Sequence, residues 1–377
     1  MEILQAKLVN FRNYGQLNIP ITGMINVIYG SNAQGKTNFL EGLYYAAFGF
    51  AFRTKDDEEV LKFGQTGFLT EVEYKNNYGK NKLAVKKYKE QNKTKKVITL
   101  NDNPISAKEH YGLLNVVLFA PDDLQIVKGE PGLRRKFLDM EIAQVNKYYY
   151  QLLVKYNKLL AQRNKFLKNN KEAVQIDFEE LNSWDQELAK VAAEVYVLRQ
   201  SNLHKINDIS SAIYHRLTGK QESLEVSYVL KRALDAQEQE KEQKQEEISA
   251  FYLEELKKRQ KLDLLRGYTS IGPHRDDLLI KVDGNNLRAF GSQGQQRSAA
   301  LALKLAEVEF IKAAKEEYPI LLLDDVMSEL DESRRSQLLS FITGKVQTFI
   351  TLNDKKLVEG LAESKYFQVE KGCIKEE

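Results

Sequence analysis

Residues Gly30-Ser31-Asn32-Ala33-Gln34-Gly35-Lys36-Thr37 satisfy G-x-x-x-x-G-K-[ST], and this octapeptide constrains the fold more than any other part of the 377-residue chain. It follows a compact β-rich run, Ile25 to Tyr29, and precedes a segment in which Phe39, Leu43 and Phe48 recur at helical spacing, so an amphipathic helix is expected there. Strand, glycine loop and helix in that order make an anion cradle. The glycines let main-chain N–H groups curl around phosphate oxygens, and the helix N-terminus adds its dipole. Gly30, Ser31, Asn32, Ala33, Gln34 and Gly35 are therefore expected to wrap a phosphate chain. Lys36 would reach the β- and γ-phosphates, and the Thr37 hydroxyl would ligate Mg²⁺. Such a loop needs a carboxylate at the end of a second core strand. Pro319-Ile-Leu-Leu-Leu-Asp324-Asp325 supplies one, being apolar, hence buried, and ending in two acids. Asp324 is assigned to Mg²⁺ through water; Asp325, with Lys36, is the catalytic candidate, placed to orient or deprotonate an attacking water.

Composition limits what else the chain can be. Fifty-six Lys and Arg against 53 Asp and Glu leave a formal charge of +3, so any nucleic-acid surface must be a local patch. One Cys and four His exclude disulfide scaffolds, Cys/His zinc sites and Cys nucleophiles, and point to a reducing compartment. The amino terminus lacks the basic start and long apolar run of a signal peptide. The longest apolar stretch, Tyr44 to Phe52, is about half a membrane-spanning length. A cytoplasmic protein with no membrane partner is the expectation.

Period changes divide the chain into 1–130, strand-rich with the P-loop; 131–266, helical; and 267–377, again α/β. Leu138, Ile142, Val145, Tyr149, Leu152, Tyr156 and Leu159 step by four and three as one coiled-coil seam, and Trp184, Leu188, Val191, Val195 and Leu198 repeat the rhythm. An antiparallel helical pair follows, then a very polar helix over Ala236 to Arg266. Three basic clusters are candidates for a DNA backbone: Lys86, Lys87 and Lys89; Arg134, Arg135 and Lys136; and Lys257, Lys258, Arg259 and Lys261. The first belongs to Lys75 to Lys96, where nine lysines face one acid, Glu90, and tyrosines are interleaved. A solvated hairpin whose lysines guard an exposed edge reads equally well.

Gly291-Ser292-Gln293-Gly294-Gln295-Gln296-Arg297-Ser298 opens another long helix. Small residues ahead of a helix make either a second anion site, serving a neighbour's nucleotide, or an ordinary capped start in which Ser292 is a local cap. Taken in chain order, the P-loop, this opening, the LLLDD strand end and Ser328 to Asp331 resemble the Walker A, signature, Walker B and D-loop of an ABC-type ATPase head. The heptad helices between P-loop and signature resemble the SMC branch of that superfamily. Leu8 to Tyr14, Phe119 to Pro131, Arg134 to Asp139, Gly272 to Asp277, Ser292 to Ser298 and Leu301 to Glu307 are similar to segments of the bacterial RecF family.

That resemblance implies an α/β fold: an ABC/SMC-type P-loop ATPase head with an inserted α-helical, short coiled-coil domain. It implies ATP and Mg²⁺ as cofactors and an ATP-dependent homodimer, Ser292 and Gly294 of one copy contacting the γ-phosphate held by Lys36 of the other. It also implies binding to duplex and gapped DNA and to single-strand/duplex junctions, cooperation with RecO and RecR, and loading of RecA. By position, Arg12 would lie near the nucleotide base or phosphates, and Asp122-Asp123 would stand at the Q-loop. Asp325 stands where transporters have glutamate, and its shorter reach implies a slow, DNA-dependent ATPase. Leu352-Asn353-Asp354 lacks the transporters' switch histidine, and His274 and Arg275 read as a turn or cap. Two other readings exist. A P-loop small-molecule kinase would use Lys36 and Asp324 but leaves the Ser292 helix and heptads unexplained. A structural SMC-like tether needs long arms, whereas a seam of about 20 residues spans only roughly 30 Å.

Overall fold

The computed structural model describes residues 1–54, 56–91, 93–171, 176–219, 221–230, 244–358 and 364–377. The chain divides into two compact units, 1–123 with 304–377, and 124–303. Residues 267–303, with the Ser292 segment, thus group with the helical region. A cut placed at residue 266 misses the antiparallel pairing of strand 224–229, before the last helix of that region, with strand 277–282 after it.

The first unit begins with β1 (Glu2–Phe11), β2 (Tyr14–Pro20), β3 (Ile25–Tyr29), α1 (Lys36–Phe48), β4 (Gly67–Asn76), β5 (Gly79–Glu90), β6 (Lys93–Leu100), β7 (Asn103–Ile105), α2 (Ala107–His110) and β8 (Val116–Phe119). The second unit contains α3 (Gln125–Lys128), α4 (Pro131–Val145), α5 (Lys147–Asn169), α6 (Phe178–Leu217), β9 (Leu224–Val229), α7 (Gln245–Arg266), β10 (Asp277–Val282), β11 (Asn285–Asn286) and α8 (Leu287–Phe290). Helix α9 (Gln293–Lys315) carries the unit boundary. The first unit then resumes with β12 (Ile320–Asp324), α10 (Val326–Glu329), α11 (Glu332–Ile342), β13 (Thr348–Leu352), β14 (Ser364–Glu370) and β15 (Cys373–Glu376).

Two six-stranded sheets build the first unit. One is antiparallel, in the order β2-β1-β4-β5-β6-β7; the other, β15-β14-β3-β13-β12-β8, is parallel except at β15. Helix α1 packs against strands of both, which buries Phe39, Leu40, Leu43, Tyr44, Tyr45 and Phe48 together. It is therefore apolar nearly all round rather than amphipathic, as a helix enclosed between two sheets must be. The parallel order puts β13 between β3 and β12, with Asp324 opposite Thr351 and Tyr29 opposite Leu352. The loops after these strands all open at the same, carboxyl, edge, where parallel sheets present their ligand-binding residues.

In the second unit the single seam of the sequence is two helices. Asn146 adopts an extended conformation between α4 and α5, and its Oδ1 accepts the Tyr149 N–H at 3.1 Å, capping α5. Helix α6 runs 40 residues, well beyond the predicted Trp184 to Leu198. Where the helices pack, the core is not wholly apolar. Arg163 of α5, fully buried, donates to Asp185 at 2.6 Å and to Asp263 at 2.9 Å. Strand β9 pairs antiparallel with β10. Of the predicted polar helix, α7 covers 245–266; residues 236–243 lie outside the described residues.

Candidate nucleotide site

The octapeptide folds as the β3–α1 turn. Gly30 and Gly35 have φ of +149° and +122°, and a Cβ would lie 2.5 Å from the Val369 carbonyl oxygen and 2.6 Å from the Asn13 side chain respectively. Only glycine fits both places. Ser31, Asn32 and Ala33 are exposed, Ala33 in the left-handed region, and Gln34 is half-buried. Lys36 folds back over the loop, donating to the Gly30 carbonyl at 2.7 Å, the Ser31 carbonyl at 2.9 Å and Asn353 Oδ1 at 2.9 Å. Burial lowers its pKa, opposed by the charges of Asp325 and Asp324.

Thr37 Oγ1 donates to Asp324 Oδ1 at 2.8 Å, and Thr351 Oγ1, on the strand between, donates to the same oxygen at 2.8 Å. Burial pushes the Asp324 carboxyl up, and these two hydroxyls hold it down in part. Asp325 is half-buried with φ +53°; its N–H donates to Thr351 Oγ1 at 2.9 Å, and Ser328 Oγ donates to its carbonyl at 2.7 Å and its Oδ1 at 3.1 Å. Thr351 therefore ties both acids to β13. Thr37 and Asp324 form a hard oxygen donor pair of the kind Mg²⁺ takes together with phosphate oxygens and water. Among the described residues no group of three or more His, Cys, Asp or Glu is placed to hold a metal without such added ligands.

Behind the loop, Arg12 forms a bidentate pair with Glu41 of α1, at 2.7 Å and 3.1 Å, and Arg53 donates to Glu41 at 2.7 Å. Glu41 is fully buried. Burial alone would raise its pKa, but the two guanidiniums outweigh it and hold the carboxyl below its ordinary value. Arg12 is thus brought beside the helix that follows the loop, through a carboxylate that no sequence motif marks. The loop is also held by the carboxy-terminal hairpin. The Lys371 N–H donates to Gln34 Oε1 at 2.7 Å and the Gly372 N–H to the Gln34 carbonyl at 3.1 Å, an oxygen that also accepts Asn13 Nδ2 at 2.7 Å.

Asp123 accepts the Ala120 N–H at 2.7 Å, which fixes the turn after β8; Asp122 is exposed. In the second unit, Ser292 Oγ accepts the Gln295 N–H at 3.2 Å while Gln295 Oε1 accepts the Ser292 N–H at 2.8 Å, a reciprocal cap on α9. Ser292 remains exposed, and Gly294 is half-buried. His274 and Arg275 stand in a turn, as expected, the Arg275 N–H donating to the Gly272 carbonyl at 2.7 Å; His274 is half-buried, with Tyr156 at 2.6 Å from Nδ1 and the Thr269 carbonyl at 3.1 Å from Nε2. Asp276 nearby accepts from Tyr228 and Tyr252, each at 2.9 Å.

The basic clusters separate sharply. Arg134 is 3% exposed and gives its donors to Asp277 at 2.7 and 2.9 Å and to the Ile126 and Gly129 carbonyls, so it does not belong to a DNA-facing surface. Its place one turn before Phe137 and Leu138 was the sign of burial. Arg135 donates to the Asp276 carbonyl at 2.6 Å, and Lys136 is exposed. Lys87 pairs with Asp57 at 3.2 Å, Lys89 with Glu58 at 3.0 Å, and Lys86 lies over the Tyr88 ring at 5.0 Å. Lys258 and Arg259 pair with Glu254 and Glu255 on their own helix.

Parallel strands, a glycine loop gripping a lysine, and a threonine bonded to a buried aspartate two strands away define a P-loop ATPase head of the ABC/SMC type. Residues 2–375 match the RecF/RecN/SMC N terminal domain family. The DNA replication and repair protein RecF of Clostridium tetani (strain Massachusetts / E88) is 40% identical over 379 residues, covering 99% of this chain and 100% of that protein. The chain belongs to the RecF family. Solved structures of the recombination mediator protein RecF in the RecFOR pathway, with ATPrS and with ATP, match at 34% and 32% identity. Each gives a TM-score of 0.90 and covers 97% of the solved chain, with 99% and 100% of this one.

Proposed function

We propose that this chain is an ATP-dependent DNA-binding protein of recombinational repair, a slow ATPase in which the nucleotide acts as a switch. The observation that carries the reading is the convergence of Lys36, Thr37 and Asp324 at the edge of one parallel sheet, with Thr37 Oγ1 2.8 Å from Asp324 Oδ1. Its relatives named DNA replication and repair protein RecF, and the RecF structure solved with ATP, support the rest.

In this reading the main-chain N–H groups of residues 31–37 hold the phosphates, and Lys36 exchanges its carbonyl contacts for phosphate oxygens. Its lowered proton affinity rises again once an anion replaces those neutral partners. Thr37 and Asp324 would hold Mg²⁺, which when bound neutralises charge on the β- and γ-phosphates. Asp325 orients the attacking water from a main chain pinned by Thr351 and Ser328. Ser292 keeps its hydroxyl hydrogen, because the cap uses its oxygen only as acceptor. It is therefore able to donate to the γ-phosphate held by a second copy, and ATP then favours the dimer through contacts that hydrolysis removes. RecO, RecR and RecA loading complete the proposal, in the cytoplasm, with duplex or gapped DNA as the ligand. The test is nucleotide binding by calorimetry. Lys36→Ala should weaken ATP binding at least tenfold with the thermal melt retained; unchanged affinity would refute the site.

A further inference from the structure

Of the clusters expected to meet DNA from sequence, Arg134 is buried and Lys87, Lys89, Lys258 and Arg259 are paired with neighbouring acids, whereas another group of cations has no acid partner among the described residues. On α5, Lys165 and Lys168 are exposed on the stripe that carries Asn164. Asn164 Oδ1 accepts both the Thr269 N–H and the Thr269 hydroxyl at 2.7 Å, which fastens the loop after α7 to this stripe. At the end of α7, Gly267 comes so close that a Cβ there would meet the Lys168 Cα at 3.8 Å. Exposed Arg266 precedes it, and Tyr268 follows with the Arg275 guanidinium 4.9 Å from its ring centre. Among the described residues, none of Lys165, Lys168, Arg266 and Arg275 has an ion-pair partner.

The acids packed near these cations are mostly occupied, while Glu246 and Glu247 stand exposed at the far, N-terminal end of α7. Asp263 and Asp185 hold Arg163, Asp277 holds Arg134, and Glu180 accepts the Trp184 indole N–H; Glu179 stands exposed at the start of α6. Two of the cations have a local use, since Lys168 and Arg266 sit in the last turns of α5 and α7, where positive charge suits the helix dipole. Arg275 donates to the Thr269 carbonyl at 3.3 Å, and Lys165 lies about one turn before the end of α5; neither contact nor position supplies an acid to either charge among the described residues.

We infer that Lys165, Lys168, Arg266 and Arg275, grouped around Tyr268 at the junction of α5 and α7, form the surface that tracks the phosphate backbone of duplex DNA. The inference rests on the DNA-binding reading above and says where it occurs. Duplex is preferred to single strand because one face of the Tyr268 ring is already covered by Arg275, whereas base stacking needs open aromatic faces.

The experiment is fluorescence anisotropy of the full chain with a blunt duplex in the presence of ATP, over a series of salt concentrations. Each phosphate that a variant no longer neutralises lowers the slope of log K against log salt by about 0.9 for B-DNA. Lys165→Ala with Lys168→Ala and Arg266→Ala should reduce it by about 2.7, and Lys165→Ala alone, which leaves the last-turn Lys168 and Arg266 in place, by about 0.9. Lys86→Ala with Lys87→Ala and Lys89→Ala should leave the slope unchanged. Wild-type slopes in the α5–α7 variants, or a reduction confined to the Lys86 variant, would overturn the assignment. A fall in melting temperature without a change of slope would reduce these cations to helix-dipole partners and overturn it equally. Failure of the wild-type protein to bind any DNA would instead remove the reading on which the inference rests.

Discussion

Replacing Glu41 by Gln keeps the size of a fully buried side chain and removes the charge that holds two arginines beside the P-loop helix. Glu41 Oε2 accepts from Arg12 Nε and Arg53 NH2, both at 2.7 Å, and Oε1 accepts from Arg12 NH2 at 3.1 Å and the Arg53 N–H at 3.4 Å. Every partner is a donor, so the amide nitrogen of Gln faces an N–H whichever way it turns. Breaking a buried ion pair costs about 3–5 kcal/mol. Arg12 and Arg53 remain partly exposed and regain water, which puts the expected destabilisation at the lower end, about 3 kcal/mol. For a unit of roughly 200 residues, that is a fall in melting temperature of about 6–12 °C. The pH dependence supplies an independent check. The folded carboxyl lies below its ordinary value of 4.5, so its contribution is complete above that value and disappears as pH falls through the folded one. Urea unfolding of both proteins should therefore show the full gap at pH 7 and a shrinking gap below pH 4.5. A gap under about 1 kcal/mol at pH 7, or one that persists in acid, would refute the argument.

Burial lowers the pKa of His274 from 6.5 to about 3. The unfolded chain then binds a proton that the folded chain refuses, so stability should fall as pH drops from 6.5 towards 3, and His274→Gln should flatten that fall in pH-dependent melts. Gln34→Ala removes the acceptor of the Lys371 N–H, and ATP affinity should drop several-fold with little change in melting temperature; unchanged affinity would leave the hairpin as packing only. Asp325→Asn should retain ATP binding and lose nearly all phosphate release, as measured by single-turnover assay.

The parts of this protein most legible in its sequence are those where backbone geometry leaves few residue choices. Gly30 and Gly35 are required by positive φ, and Ile320–Asp324 is apolar because both faces of its sheet are covered. Less legible were residues that act through a neighbour. Glu41 shows only as an acid inside an apolar run, and Thr351 and Asn353 as small polar residues at a strand end, because topology rather than spacing brings β13 between β3 and β12. The break at Asn146 carries no Gly or Pro, and the side chain that caps α5 also fits a polar position in a heptad. Strand β9 alternates clearly as Leu-Glu-Val-Ser-Tyr-Val, yet its partner β10 lies some 50 residues on, beyond α7. Ion pairing is invisible to composition. Lys87 and Lys89 look like free charge until folding brings Asp57 and Glu58 beside them.

The central proposal, that one copy's Lys36 and another's Ser292 share a nucleotide, is tested most directly by the solution mass at several protein concentrations, with and without ATP. A chain of 43.4 kDa should double in mass on adding ATP, with ATPase activity per subunit rising as concentration rises. Ser292→Arg should bind ATP as a monomer and fail to double. A mass that ignores ATP, with a rate per subunit independent of concentration, would contradict the account.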